Sequence, residues 1–528
     1  MNGLEKINEI HRRGEISRRS FMSSAIAMGL SVSSATLLAN QVQAAVPKRG
    51  GLFKIGIGYG ATTDTLDPGT FGDYYMLSVG LAARNCLFEI NNDDELVGEL
   101  VESWEVSPDA KTWVFNLRKG VEFHNGKTLT PEDVIASIQH HIADGATSVA
   151  KATLASITDV SKDGPNTVVV TLSEGNADFP YLMSDYHVEI MPEKDGQADW
   201  RSGVGTGGYV IENFDPGVKT TMTRNPNYWK SNSAHFDAIE VLAILDQTAR
   251  TNALTSGVID AMDRVDMKTA HLLARNPNVS IKETAGGLHF NYTMMCNVAP
   301  FDNVDVRLAM KYAMNREEFL QKILNGYGYL GNDHPIARFN QYFAEDLPQR
   351  QYDPEKAKFH LKKAGYSDLK VDLNVAEVAF NGAVDGALLY SEMARKAGID
   401  INVVREPNDG YWSNVWNQKP FSASFWSGRV TEDWMFSLAY TSNAPWNESK
   451  WDNDRFNKLL LEARSELDTE KRRAMYYELQ KLVSDDCGAI TPVFSSWLFA
   501  TSSKIAHGNL SGAWDLDGGK GLERWWFA

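Results

Sequence analysis

The 528-residue chain carries 52 Lys/Arg against 68 Asp/Glu, a formal net charge of −16, and no basic run. Such a chain repels phosphate backbones, which excludes nucleic acid as an expected partner. Its three cysteines, Cys86, Cys296 and Cys487, are odd in number and far apart. That spacing excludes a disulfide framework or CxxC metal motif and predicts buried small hydrophobes.

At the N-terminus, Ser17-Arg18-Arg19-Ser20-Phe21-Met22 fits a twin-arginine export pattern, followed by the Ser- and Ala-rich run Ser23–Leu38 and a small-residue cleavage site at Val42-Gln43-Ala44. Residues 1–44 are therefore expected to be a leader. Its removal takes away five Lys/Arg and three Asp/Glu and leaves a net charge of −18. No Cys follows the cleavage site, and no later apolar run reaches the roughly 20 residues that span a bilayer. The expected product is a soluble periplasmic protein of about 480 residues, long enough for two or three domains.

Gly51–Gly60 reads as a strand ending in Gly-Tyr-Gly. The stretch Glu99–Val134 (GELVESWEVSPDAKTWVFNLRKGVEFHNGKTLTPEDV) then gives a turn at Ser107-Pro108-Asp109 and a half-buried strand in which Trp113, Phe115 and Leu117 alternate with polar residues. A second turn falls at Asn125-Gly126. A helix follows, with Thr130 as its cap, Pro131 first and Asp133 in capping-box register. His140-His141 on that helix reads as a solvated face. Further strands are expected at Val168–Leu172, Tyr209–Phe214 and Thr220–Arg224, around the glycine-rich break Gly203–Gly208, and a helix at Val304–Met314. Asn315 caps the next helix and Asp353-Pro354 opens another. From Val371 the pattern is strand Val371–Val375, helix Val384–Lys396, strand Ile399–Val404, helix Asp409–Asn417, strand Phe421–Trp426. This βαβαβ order predicts parallel strands, with ligand beyond their carboxyl ends at Ala376-Glu377, Arg405-Glu406 and Trp426–Arg429. Neither GIGYG (Gly56–Gly60) nor GVGTGG sits in a nucleotide-loop frame, and HExxH and GxSxG are absent from the sequence.

The block Glu99–Val134 closely resembles the signature of the family 5 extracytoplasmic solute-binding proteins, the peptide- and nickel-binding subunits of ABC importers. The match runs through Trp104, Asp109, Lys111-Thr112-Trp113, Phe115, Leu117-Arg118, Gly120, Phe123-His124, Gly126, Leu129-Thr130 and Asp133-Val134, with Asn125 and Pro131 as departures. GTGGY…RNPNYW and the helices after Phe301 are similar to the family as well. The resemblance implies an α/β, two-lobed periplasmic binding protein of type II-like fold with its ligand cleft between the lobes. The first lobe would hold residues 45–91, 206–290 and 492–528, the inserted domain 92–205, and the second lobe 291–491. It further implies a non-enzymatic monomer that needs no cofactor or metal, takes a peptide or peptide-like solute and serves ABC permease subunits. A twin-arginine-exported enzyme, or a chaperone or sensor partner using the same cleft, are the alternatives.

In peptide-binding members, the last strand end carries Trp followed three residues later by an Asp that takes the α-ammonium. Here Trp426-Ser427-Gly428-Arg429 retains the Trp and places Arg429 where that Asp would be. Dipeptide binders also carry an Arg after the first strand of this unit, where this chain has Ala376-Glu377. A guanidinium repels an ammonium and pairs bidentately with carboxylate or phosphate. Arg429 is therefore expected to bind an anionic group, unless Glu432 or Asp433 pairs with it instead. Glu377 is a candidate for a cationic group, and Asp433 for the ammonium if the loop is displaced. Six of the fourteen tryptophans fall between Trp412 and Trp451; Trp426 and Trp416 are the expected cleft aromatics, and Tyr59 joins them by its family position.

Overall fold

The computed structural model describes residues 47–444 and 446–528. The expected leader lies outside the described residues. Among those described, no helix is long and apolar enough to cross a membrane.

Two arrays of parallel strands share one eleven-stranded sheet. In the first, Leu52–Ile57 lies parallel to Ala238–Ala243 and Ala261–Met262, with Lys219–Arg224 and Tyr209–Asp215 added antiparallel outside. In the second, Leu369–Val375 lies parallel to Ile399–Arg405 and Phe421–Trp426, as the βαβαβ pattern predicts. Two long antiparallel strands, Val279–Met294 and Ala489–Ser502, run between the arrays, and Gly328–Leu330 pairs with the latter. The expected lobe borders at 290–291 and 491–492 fall inside these two strands. Each array is buried by apolar residues: Phe53, Ile55 and Ile57 in the first, with Phe53 stacked on Phe236 at 4.4 Å, and Leu369, Leu373 and Val375 in the second. A sheet carrying helices on its faces buries both sides of each strand, so these runs are more continuously apolar than an exposed strand would be.

The signature block forms part of a separate four-stranded antiparallel sheet, ordered Val101–Val106, Thr112–Leu117, Thr167–Leu172, Ile157–Lys162. Trp113, Phe115 and Leu117 face its core as their spacing predicts. The helix Pro131–Ile142 starts where expected, with the Asp133 carboxylate accepting the Thr130 amide at 2.8 Å. The histidine pair departs from expectation. His140 bonds Asp67 at 2.7 Å, and His141 is fully buried against Ser148 at 2.7 Å, its imidazole pushed down to about 4 by burial. The turns Pro68–Thr70 and Val149–Lys151 cover the face that the sequence reads as solvated. Helix Asp409–Asn417 shrinks to Tyr411–Asn414, between the left-handed residues Gly410 and Asn417. Cys86 and Cys487 are buried and Cys296 is partly so, all three as free thiols.

This smaller sheet docks onto helices Asp454–Ser465 and Thr469–Asp486 through Asp178–Arg472 at 2.7 Å, Glu174–Arg464 at 3.1 Å and the Ala177 amide donating to the Arg464 backbone carbonyl at 2.8 Å. Asp433 shares Arg464 at 3.0 Å, and Glu432 accepts the Tyr342 amide at 2.6 Å. Burial, with Asp178 nearby, pushes Glu432 up to about 7; burial, opposed by Arg464, leaves Asp433 at about 6. A carboxyl raised on folding stabilises fully below its unfolded value near 4, and that stability is lost as pH rises through the folded value. Glu432→Gln keeps the neutral form. Its fall in melting temperature between pH 5 and pH 8 is therefore expected to be smaller than the wild type's, and an equal or steeper fall would contradict the assignment.

Candidate functional site

Beyond the carboxyl end of Phe421–Trp426 the chain turns sharply at Gly428, whose φ is +75°. A Cβ there would lie 3.0 Å from the Cα of Gly287, where the long strand Val279–Met294 is interrupted between Thr284 and Leu288. Two glycines at this crossing let the backbones touch. The turn aims Arg429, whose guanidinium donates to the Gly428 carbonyl at 2.5 Å and Ser427 Oγ at 3.3 Å and lies 5.6 Å from the Trp434 ring centre. The Asn340 amide holds the Arg429 carbonyl at 2.9 Å. Burial lowers the guanidinium from its ordinary value, and Asp185 and Tyr186 oppose that shift. Neither carboxylate offered as an alternative partner takes it, since Asp433 is held by Arg464 and Glu432 by the Tyr342 amide. Among the described residues Arg429 has no carboxylate partner, because Asp185 is itself bonded to His187 at 2.6 Å.

Glu377 is exposed at the adjacent strand end and faces Arg405 at 3.6 Å. Trp426 and Trp416 converge on a residue that sequence reasoning missed. The carboxylate of Glu448, 7% exposed, accepts both indole N–H groups together with Ser424 Oγ and Thr293 Oγ1 at 2.9 Å and the Asn291 amide. Nothing in WNESK distinguishes this glutamate from a surface one. A buried carboxylate with five donors fixes the indoles, and its loss strands them all. Each stranded donor costs about 1–3 kcal/mol, partly relieved by water. Glu448→Ala is therefore expected to lower the urea unfolding free energy by at least about 3 kcal/mol; a loss below about 1 kcal/mol would show that the donors find other partners.

Tyr59 follows the first array's Leu52–Ile57 strand, under the Arg264 guanidinium at 4.7 Å from its ring centre. Burial raises its phenol, against Arg264. From Tyr59 the rings run to Tyr74 at 5.9 Å, from Tyr74 to Trp497 at 5.7 Å and Trp514 at 6.4 Å, and from Trp514 to Tyr186 at 5.8 Å. Tyr186 lies within reach of the Arg429 charge. A chain of rings, meeting mostly edge to face, thus connects the strand ends of the first array with those of the second. The C-terminal segment 492–528 was expected in the first lobe, but no residue of it was expected at the site, although Asp517-Gly518-Gly519 is a turn signal in the sequence. Beside this region two adjoining clefts of about 450 and 770 Å³ share Asp94, Arg338 and Phe339. Three carboxylates, Glu89, Glu99 and Glu523, also gather within 4.8 Å of one another. Lys230 sits 3.0, 2.6 and 3.1 Å from them, and Lys520 contacts all three as well. With Arg524 3.8 Å from Glu89, three cations already balance the three carboxylates, which makes this a structural charge cluster.

The family model of bacterial extracellular solute-binding proteins, family 5 middle, matches residues 95–448, and the chain belongs to that family. Among curated relatives it is 26% identical over 454 residues to heme-binding protein A of Haemophilus influenzae, covering 79% of this chain and 82% of that one. It is likewise 26% identical over 450 residues to di/tripeptide-binding protein 1 of Pseudomonas aeruginosa, covering 77% and 82%. Among solved structures, HbpA2 from Haemophilus parasuis superposes with a TM-score of 0.79 at 20% identity, covering 89% of this chain and 99% of that one. The fold is the two-lobed one of these binding proteins, and the function is solute binding.

Proposed function

We propose that this chain is the periplasmic receptor of an ABC importer, capturing a peptide or peptide-like solute that bears an acidic group and delivering it to the permease. In this reading the twin-arginine leader is removed. Lobes 45–91, 206–290 with 492–528, and 291–491, close over the ligand beside the inserted domain 92–205, and the protein acts as a monomer without chemistry. Binding free energy shifts the open–closed equilibrium by its difference between the two states. The observation that carries the ligand class is Arg429. It is a partly buried guanidinium beyond the carboxyl end of a parallel-sheet strand, with no ion-paired carboxylate among the described residues and a chain of aromatic rings beside it. Burying a cation without a counterion is costly, and a ligand carboxylate or phosphate relieves that cost. The relatives' names, one for heme and one for di- and tripeptides, support a small organic cargo of this kind.

Thermal-shift screening of the mature protein against small organic acids, peptides and their amides tests the reading. The expected hits carry an acidic group and raise the melting temperature by several degrees. Hits confined to cations or neutral compounds would overturn it.

A further inference from the structure

Most buried carboxylates of this protein are paired with a cation, and Glu432 and Glu448 are held by neutral donors instead. Asp263 faces Arg250 at 3.2 Å, Glu189 faces Arg84 at 3.2 Å, and Asp333 is gripped by Arg316 and Arg350 at 2.6 and 2.9 Å. Asp515 differs. It is 1% exposed, one oxygen accepts only the amide of its neighbour Leu516 at 2.8 Å, and Oδ2 has no hydrogen-bond partner among the described residues. Burial next to Asp263 pushes its carboxyl up to about 7, against the Leu516 amide and Arg264.

The backbone after Asp515 is held in an unusual form. Leu516 (φ 55°, ψ 48°) and Asp517 (φ 65°, ψ 55°) are left-handed, and Gly518 and Gly519 continue the turn at φ 66° and 77°. Left-handed conformation costs about 1–2 kcal/mol for each non-glycine residue. The turn persists because Asp517 is clamped by the Ser511 amide at 2.9 Å and the Trp525 indole at 3.1 Å, and is paired with Arg524 at 3.4 Å. Strain over-determined in this way fixes a side chain that the chain would not otherwise present.

The charges that face Asp515 are those at the carboxyl ends of the first array, Asp263, Arg264 and Tyr59, together with Tyr74 on the helix Tyr74–Ala83. Its neighbour Trp514 touches Tyr74 and Tyr186, and Tyr186 is the ring that senses Arg429. Asp515 and Arg429 thus stand beyond the strand ends of opposite arrays, joined by one chain of rings, and neither makes a direct ion pair among the described residues, with Arg264 and Asp185 the opposite charges within reach of them. We infer that Asp515 is the second charged contact of the ligand site and takes the cationic end of an amphoteric solute whose acidic end lies at Arg429. This assignment rests on the receptor reading above and orients the solute along the chain of rings between the two charged groups.

Calorimetric titration of the mature protein with glutamate-containing peptides of two to five residues tests it, each prepared free, N-acetylated and with all carboxyls amidated. For the length that binds, acetylation is expected to weaken wild-type affinity at least tenfold and to change Asp515→Asn less than twofold. Amidation is expected to weaken the wild type but not Arg429→Gln. The acetylated probes compare ligands on one unaltered protein, so the result does not depend on the variant folding. Equal binding of free and acetylated probes, or no binding by any free-ended probe, overturns the inference. Loss on amidation without loss on acetylation also overturns it and leaves the Arg429 reading standing, whereas loss on acetylation alone supports Asp515 while removing Arg429.

Discussion

Arg429→Asp is expected to abolish capture of an acid-bearing ligand while leaving the ligand-free protein folded. At an effective dielectric near 20, unit charges about 4 Å apart interact by roughly 4 kcal/mol, so exchanging attraction for repulsion exceeds a 10³-fold loss in affinity. Arg429→Gln removes the attraction alone, and a loss of about 10²-fold or more is expected. Ordinarily, removing one partner of a buried ion pair destabilises a fold by about 3–5 kcal/mol. Arg429 bonds only the Gly428 carbonyl and the Ser427 hydroxyl, so no buried carboxylate is orphaned by its removal. Arg429→Gln should therefore bind less and melt at the same temperature or higher, a separation of activity from stability typical of strained sites. Calorimetry and thermal melting on the same sample check both. A large drop in melting temperature would instead make Arg429 a structural residue.

The reverse pattern is expected at Asp178. Its carboxylate, 3% exposed, pairs with Arg472 at 2.7 Å and joins the four-stranded sheet to the helix Thr469–Asp486. Arg472 is otherwise tightly held, donating to the Ala463 carbonyl at 2.9 Å between the rings of Tyr342 and Tyr476. It cannot swing to water when its partner is removed. Asp178→Ala is expected to cost about 3–5 kcal/mol in unfolding free energy, and Asp178→Ala with Arg472→Met to recover a substantial part of that loss. Additive losses in the double variant would show that the pair is not coupled.

Local signals carried much of the architecture. Phe421–Trp426 has the bounds its apolar run suggests, and the capping box at Thr130 forms as written. The two long strands that connect the arrays escaped the sequence reading for physical reasons. Val279–Met294 is interrupted by Ala285-Gly286-Gly287, and Ala489–Ser502 is buried along almost its whole length although it mixes Ser and Thr with apolar residues. Neither shows the two-residue alternation of a half-solvated strand. Pairings such as Asp178 with Arg472, 294 positions apart, leave no local trace at all. At the site, strand order was enough to place Arg429 beyond a carboxyl end. The conversion of Trp416 and Trp426 into donors to Glu448, and the presentation of Asp515 by a left-handed turn, depend on long-range packing that no window of sequence contains.

The central claim is that this protein captures a solute and releases it unchanged. Native mass spectrometry of the mature protein, incubated with a periplasmic small-molecule extract and then denatured to recover what it holds, tests this directly. One intact acidic compound per chain is expected, identical in mass before and after release and lost in Arg429→Asp. A recovered compound altered in mass, or retention undiminished in that variant, would contradict it.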